Sequence, residues 1–221
     1  MTRFEHMLRP VSSADAQKKD AAERAALLVE PGMAVGLGTG STVAFLLPAI
    51  AERELEGLRC VATSVATEEQ ARELGIPVEP FETLEHLDIA IDGADQVSPE
   101  RWLVKGGGGA HTREKIVAAS AERFVVIADP SKTVERIVPP VPLELYAFGL
   151  RATLARIGAE IGEVTPREDM PPSPDGGVIA DYHGPVDDPG ELAMRLAATP
   201  GVIDHGLFPP EMVSEVIVGG E

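Results

Sequence analysis

Residues 33–55 read MAVGLGTGSTVAFLLPAIAEREL: a short apolar run, a turn of glycines and hydroxyls, then a second apolar run at helical spacing. Such a passage is a buried strand handing over to a helix through a glycine-rich turn, and it sets the fold. Pro48 falls inside the helix, lacks an N–H, and is expected to kink it or end it early. The same alternation continues in both directions. Upstream, residues 12–32 (SSADAQKKDAAERAALLVEPG) read as an opening helix started by serines and stopped at Pro31-Gly32. Downstream, CVATS, IPVEPF, LDIAIDGAD and RFVVIAD are Val- and Ile-rich runs, with helical TEEQARELG and TREKIVAASAE among them. Strands alternating with helices predict an α/β fold, a Rossmann-like, mostly parallel, doubly wound sheet.

From Pro139 the texture changes. PPVP marks a linker, and PLEL, YAFGLRATLARIG, EIGEVTPRE, GGVIADYH, DPGELAMRLAAT and GVIDHGLF read as strand, helix, strand, strand, helix, strand. That is the split βαβ order of a smaller ferredoxin-like α+β domain. PPSPDGG supplies the turn between its middle strands, and EMVSEVIVG reads as a strand returning to the main sheet. The expected division is residues 1–138 with 207–221 as the Rossmann-like catalytic domain, and residues 139–206 as the small domain.

Composition bounds the partners. Against 19 Lys and Arg stand 36 Asp and Glu, a formal charge of -17, so the summed field repels polyanions and no nucleic acid partner is expected. Aromatics are 4% of the chain, so Val, Ile, Leu and Ala must fill the core. Cys60 is the single cysteine, which excludes an internal disulfide and fits a reducing compartment. MTRFEHMLRP has no apolar stretch of the signal-peptide kind, and VAFLLPAIA falls short of a membrane span. The expectation is a cytoplasmic protein without a membrane partner.

Three glycine- or aspartate-bearing turns then carry the chemistry. GLGTGST, residues 36–42, lies where a strand meets a helix, so backbone N–H groups and the positive helix end face an anion, and Thr39, Gly40, Ser41 and Thr42 suit a phosphate. Tight packing is the competing reading of Gly36 and Gly38. The dinucleotide fingerprint fails at Ser41, and the Walker pattern fails for want of a Gly-Lys-Ser/Thr. Asp92, Gly93, Ala94 and Asp95 follow LDIAI at a strand's carboxyl end, where α/β sheets bind ligands. Turn formation and metal binding are alternatives there, the latter weakened by the absence of a nearby histidine. Lys105, Gly106, Gly107 and Gly108 open KGGGGAHTREK, in which bare backbone forms an anion nest beside a cation. Thr112 offers an N-cap to the next helix. Glu114 then reads either as a first-turn carboxylate stabilising the helix dipole or as a general base beside lysine and nest, equipment for taking a proton next to a carbonyl. His111 competes for the base role through its ordinary pKa near 6.5, although a side chain ahead of the cap is expected to be less firmly held. Lys132, in DPSK after RFVVIA, is either a further cation at the same sheet edge or a solvated surface lysine.

Taken in order, GLGTGST, VATS, DGAD, KGGGGAHTREK and ADPSK, with GGVIADYHG and TPGVIDHGLF later in the chain, resemble ribose-5-phosphate isomerase of the A type. The resemblance spans nearly the whole chain. It implies a cofactor-free, metal-free aldose-ketose isomerase that interconverts ribose 5-phosphate and ribulose 5-phosphate through an enediolate. It assigns proton transfer to Glu114, and ring opening and charge stabilisation to Asp92, Asp95 and Lys105. Substrate binding falls to residues 39–42, 92–95, 105–108 and Lys132. It also implies a homodimer or homotetramer. Two positions depart from the family pattern: His111 stands where many members are apolar, and Pro48 interrupts the helix after the phosphate loop. Two other readings compete: an amino-sugar-phosphate isomerase-deaminase, and a sensing module that binds a sugar phosphate without turning it over.

Overall fold

The computed structural model describes residues 13–220; Ser12 and MTRFEHMLRP, on which two expectations rest, lie outside them. The first half of the chain gives α1 (Ser13–Ala26), β1 (Ala34–Leu37), α2 (Val43–Ala51), β2 (Arg59–Ala62), α3 (Val65–Glu73), β3 (Leu87–Gly93), β4 (Gln96–Val97) and β5 (Leu103–Val104). Then come α4 (His111–Ala119), β6 (Ala121–Ala128), β7 (Val141–Leu145), α5 (Leu150–Glu160), β8 (Val164–Pro166) and β9 (Val178–Tyr182). The chain closes with α6 (Pro189–Ala197), β10 (Val202–His205), β11 (Leu207–Phe208) and β12 (Glu215–Val218).

Five strands form the main sheet in the order β2-β1-β3-β6-β12, every neighbour parallel. Parallel strands covered on both faces need apolar residues at successive positions, which is why LDIAI and FVVIA read as unbroken runs. Alternate residues divide between the faces: Ile89, Ile91, Val125 and Ile127 pack with α1 and α2, while Ala90, Phe124 and Val126 pack with Val117 and Ala118 of α4. Each fully buried Ile contributes roughly 1.5–3 kcal/mol. The chain runs from β1 outward to β2 and returns across to β3, so connections diverge above the carboxyl ends of β1 and β3. This is the crevice where such sheets bind ligands.

The second sheet is antiparallel, in the order β10-β7-β9-β8. Each of its two βαβ units encloses a strand of the other, as the six-element reading predicts, and Ile157 of α5 with Leu192 and Leu196 of α6 close its core. The predicted turn within PPSPDGG is present: Ser173 N–H donates to Gly177 O and Gly176 N–H to Ser173 O.

Several local expectations change. The run 42–55 is helical only to Ala51, ending one turn beyond Pro48. IPVEPF contributes one isolated bridge, Cys60 to Val78, because prolines at 77 and 80 bracket it. Cys60 itself is buried in β2, and burial pushes its thiol up to about 12, so it is unreactive. GVIDHGLF is two strands. At Gly206 the chain leaves the antiparallel sheet and enters a third, three-stranded sheet ordered β11-β5-β4. A Cβ on Gly206 would run into the Lys105 carbonyl, and its own backbone bonds both ways, N–H to Pro142 O at 2.7 Å and O from Lys105 N–H at 2.9 Å.

Candidate active site

One cleft opens at the carboxyl edge of the main sheet. Thr39, Gly40, Ser41 and Thr42 line it from the turn after β1, Gly93, Ala94 and Asp95 from the end of β3, and Lys132 from the short turn after β6. Lys105, Gly106, Gly107, Gly108 and Glu114 form the opposite wall. Every residue assigned a binding or catalytic role by the resemblance borders this cleft except Asp92, which lies beneath its floor.

Asp92, Lys105 and Glu114 are 2%, 3% and 5% exposed. The Lys105 ammonium sits 2.8 Å from Asp92 Oδ2 and 3.3 Å from Glu114 Oε2, and donates to the Gly93 carbonyl. Asp92 Oδ1 accepts from the N–H groups of Thr39 at 3.0 Å and Gly93 at 2.7 Å. Two buried carboxylates thus share one ammonium. Burial, reinforced by the Asp92 charge, pushes Glu114 up to about 8 against the pull of Lys105. Burial also raises Asp92. Burial alone would lower Lys105, yet the two carboxylates outweigh it and hold the lysine above its ordinary value. A carboxyl group titrating near neutrality is matched to general acid–base work.

The glycines before the phosphate-type turn have separate jobs. A Cβ on Gly36 would strike Val117 of α4, a packing constraint, whereas one on Gly38 would strike the Asp92 carboxylate. Thr39 departs from the reading that its hydroxyl is free for phosphate: it donates to Ser64 at 2.8 Å and lies 2.7 Å from the Thr63 hydroxyl, so VATS is a brace for the turn. Ser41 and Thr42 remain. Thr42 caps α2 without a side-chain hydrogen bond, leaving the positive helix end for an anion.

In the loop 105–109, Gly107 N–H donates to Asp95 at 2.8 Å and Gly109 N–H to Gly106 O at 3.0 Å. The Gly107 N–H is therefore taken by the protein's own Asp95 carboxylate. From the far side, Arg167 Nη1 donates to the carbonyls of Gly106 at 3.1 Å and Gly107 at 2.9 Å. Sequence reading missed Arg167, because 60 residues separate it from the loop and no local pattern marks it.

Helix α4 begins two residues earlier than a cap at Thr112 implies. Ala110 is its N-cap, and the Thr112 hydroxyl donates instead to the buried Glu144, which also accepts from Ser173. His111 is thereby the first helical residue and fully buried, the opposite of a loosely held side chain. Burial, then the nearby Lys115 ammonium, depresses it to about 3, so its ring is neutral. It is not among the cleft residues. Glu114 is the group left for the base. A histidine–carboxylate grouping with metal-ligand spacing does occur among the described residues, at His86, Asp88 and Glu122, but at the amino ends of β3 and β6, the opposite sheet edge.

Known proteins share this fold. Residues 59–221 match the model of the family described as ribose 5-phosphate isomerase A (phosphoriboisomerase A). The chain is 46% identical over 214 residues to the ribose-5-phosphate isomerase A of Roseiflexus castenholzii, covering 92% of this chain and 91% of that one. It superposes on the crystal structure of ribose 5 phosphate isomerase A from Neisseria gonorrhoeae with a TM-score of 0.90 at 33% identity, over 96% and 95% of the two chains. A D-ribose-5-phosphate isomerase solved in complex with phospho-erythronic acid gives a TM-score of 0.88 at 33% identity, over 94% and 96%. The stretch matched by the family model includes Gly93–Asp95, Lys105–Gly108, Glu114 and Lys132 of the cleft, and the chain belongs to the ribose 5-phosphate isomerase A family.

Proposed function

We propose that the protein interconverts D-ribose 5-phosphate and D-ribulose 5-phosphate, with Glu114 as the proton carrier. The observation that carries this reading is the buried group of Glu114, Lys105 and Asp92 at the floor of a cleft whose other end is a helix terminus and a lysine. The phosphate occupies the turn Gly40–Thr42 with Lys132, which puts the sugar carbonyl at the Lys105 end. Glu114 takes the proton from C2, the C–H electron pair forms the C1–C2 double bond, and negative charge collects on O1. Lys105 and the Gly108 N–H hold that charge where it develops. Glu114 returns its proton to C1 as the C2–O2 double bond forms, and the O2 proton passes to O1 through Asp95. Asp92 acts through Lys105, fixing the ammonium in place, and Asp95 and Lys105 assist opening of the furanose. No step calls for a metal or an organic cofactor, since Lys105 already supplies the positive charge.

Sheet membership supports dividing the chain at 138/139 and 206/207 into the two units expected from sequence. A homo-oligomer working in the cytoplasm completes the reading. Phe148, 95% exposed, and Tyr146 offer an apolar surface for a second copy, and no helix among the described residues is long and apolar enough to cross a membrane.

The test is conversion of ribose 5-phosphate to ribulose 5-phosphate by the purified chain in excess chelator. Turnover is expected to persist. No conversion, or conversion only after a divalent ion is restored, overturns the proposal.

A further inference from the structure

We propose that Arg167, oriented by Asp181, is a positioning residue for the reaction, acting through the glycine loop; the inference rests on the isomerase reading above. A run of four glycines has no side chains to pack and loses much backbone freedom when ordered, so something outside it must fix its peptide planes. Arg167 does so from the antiparallel sheet. It follows β8, and its Nε and Nη2 donate to the two carboxylate oxygens of Asp181 on β9, both at 2.7 Å. That fork leaves Nη1 for Gly106 O and Gly107 O.

Peptide planarity transmits the grip. In a trans peptide the C=O of one residue and the N–H of the next point in opposite directions. Holding Gly106 O turns the Gly107 N–H toward Asp95, as its 2.8 Å bond records. Holding Gly107 O turns the Gly108 N–H away from Arg167, and Gly108 lines the cleft. The guanidinium also polarises both peptides, making the N–H ends better partners for an oxyanion. Arg167 does not border the cleft itself, so its effect on substrate is exerted through these peptides. A lysine cannot replace it, because one ammonium cannot keep the planar two-point hold on Asp181 and reach both carbonyls.

The experiment compares wild type, Arg167→Ala, Arg167→Lys and Asp181→Asn, each shown folded by thermal melt, with Glu114→Gln alongside. Arg167→Ala is expected to lower kcat roughly 10–100-fold with KM changed less than about threefold, since an interaction aimed at developing charge is what is lost. Arg167→Lys should rescue little of it, and millimolar guanidinium should restore part of it. Phospho-erythronic acid, whose carboxylate imitates the enediolate, should bind Arg167→Ala about tenfold more weakly, while inorganic phosphate binds unchanged. If Arg167→Ala does not fold, Asp181→Asn, which keeps the guanidinium but loosens it, decides by the same readings. Folded variants with wild-type kcat, or equal weakening of phosphate and phospho-erythronic acid, overturn the proposal while leaving the isomerase reading intact. A wild type inactive on ribose 5-phosphate overturns both.

Discussion

Replacing Glu114 by glutamine keeps the side chain's shape and its contact with Lys105, but removes the ability to accept a proton and with it a buried group that must ionise as pH rises. The first change acts on the reaction. General-base catalysis is worth roughly 10²–10⁴-fold, so kcat is expected to fall by that factor, about 3–5 kcal/mol of barrier, with little change in KM. The second acts on stability, and its sign follows from the direction of the shift. Glu114 is raised from 4.5 to about 8, so between those values the folded protein holds a proton that the unfolded chain has released. Wild-type stability from this group is complete below 4.5 and is lost as pH rises through 8. Glutamine does not titrate. The variant should therefore exceed wild type by about 2–4 kcal/mol at pH 8 and by only about 1 kcal/mol at pH 5. Denaturant midpoints at the two pH values measure the difference, and steady-state kinetics on the same preparations measure kcat. In wild type, kcat/KM should climb with pH through about 8 as the base ionises. A folded variant with near wild-type kcat refutes the assignment of the base. A stability difference that is the same at both pH values refutes the claim that burial holds Glu114 protonated.

Two further substitutions separate binding from chemistry. Lys132→Ala removes a cation from the phosphate end and should raise KM about tenfold while leaving kcat within about twofold, since the contact is equal in ground and transition states; a fall in kcat at constant KM would move Lys132 to the reacting carbons. His111→Leu fills the same buried space without a titratable ring, so kcat should stay within about twofold of wild type. Because His111 is depressed to about 3, the stability it contributes is present above its ordinary 6.5 and is lost as pH falls toward 3, so the leucine variant should resist acid better in denaturant melts between those limits. An inactive but folded His111→Leu would restore histidine as a candidate base.

The parallel sheet was legible because buried parallel strands leave uninterrupted Val and Ile runs, and the six-element alternation after Pro139 was legible for the same kind of reason. Strands β4, β5 and β11 were not: at two residues each they are shorter than any period. Of the site, the turns announced themselves through glycine, threonine and aspartate at strand ends, and the cleft gathers them. What sequence cannot show is how a hydroxyl or carboxylate is spent. Thr39 is taken by Ser64 and Thr63, Thr112 by Glu144, and the Gly107 N–H by Asp95, all partners distant in the chain. The Arg167 fork depends on a pairing between strands that no local motif encodes.

Gly206 ties these observations to the history such a chain can have. Its carbonyl holds the Lys105 backbone while its N–H is bonded to β7 of the antiparallel sheet, and the Lys105 side chain meanwhile holds Asp92 on the parallel sheet. The smaller unit is therefore not a detachable accessory that could be traded for another of similar outline. A replacement would have to reproduce a residue without a Cβ at that junction and a guanidinium at the right height above the glycines. The two halves of this chain can change around Lys105 only in step.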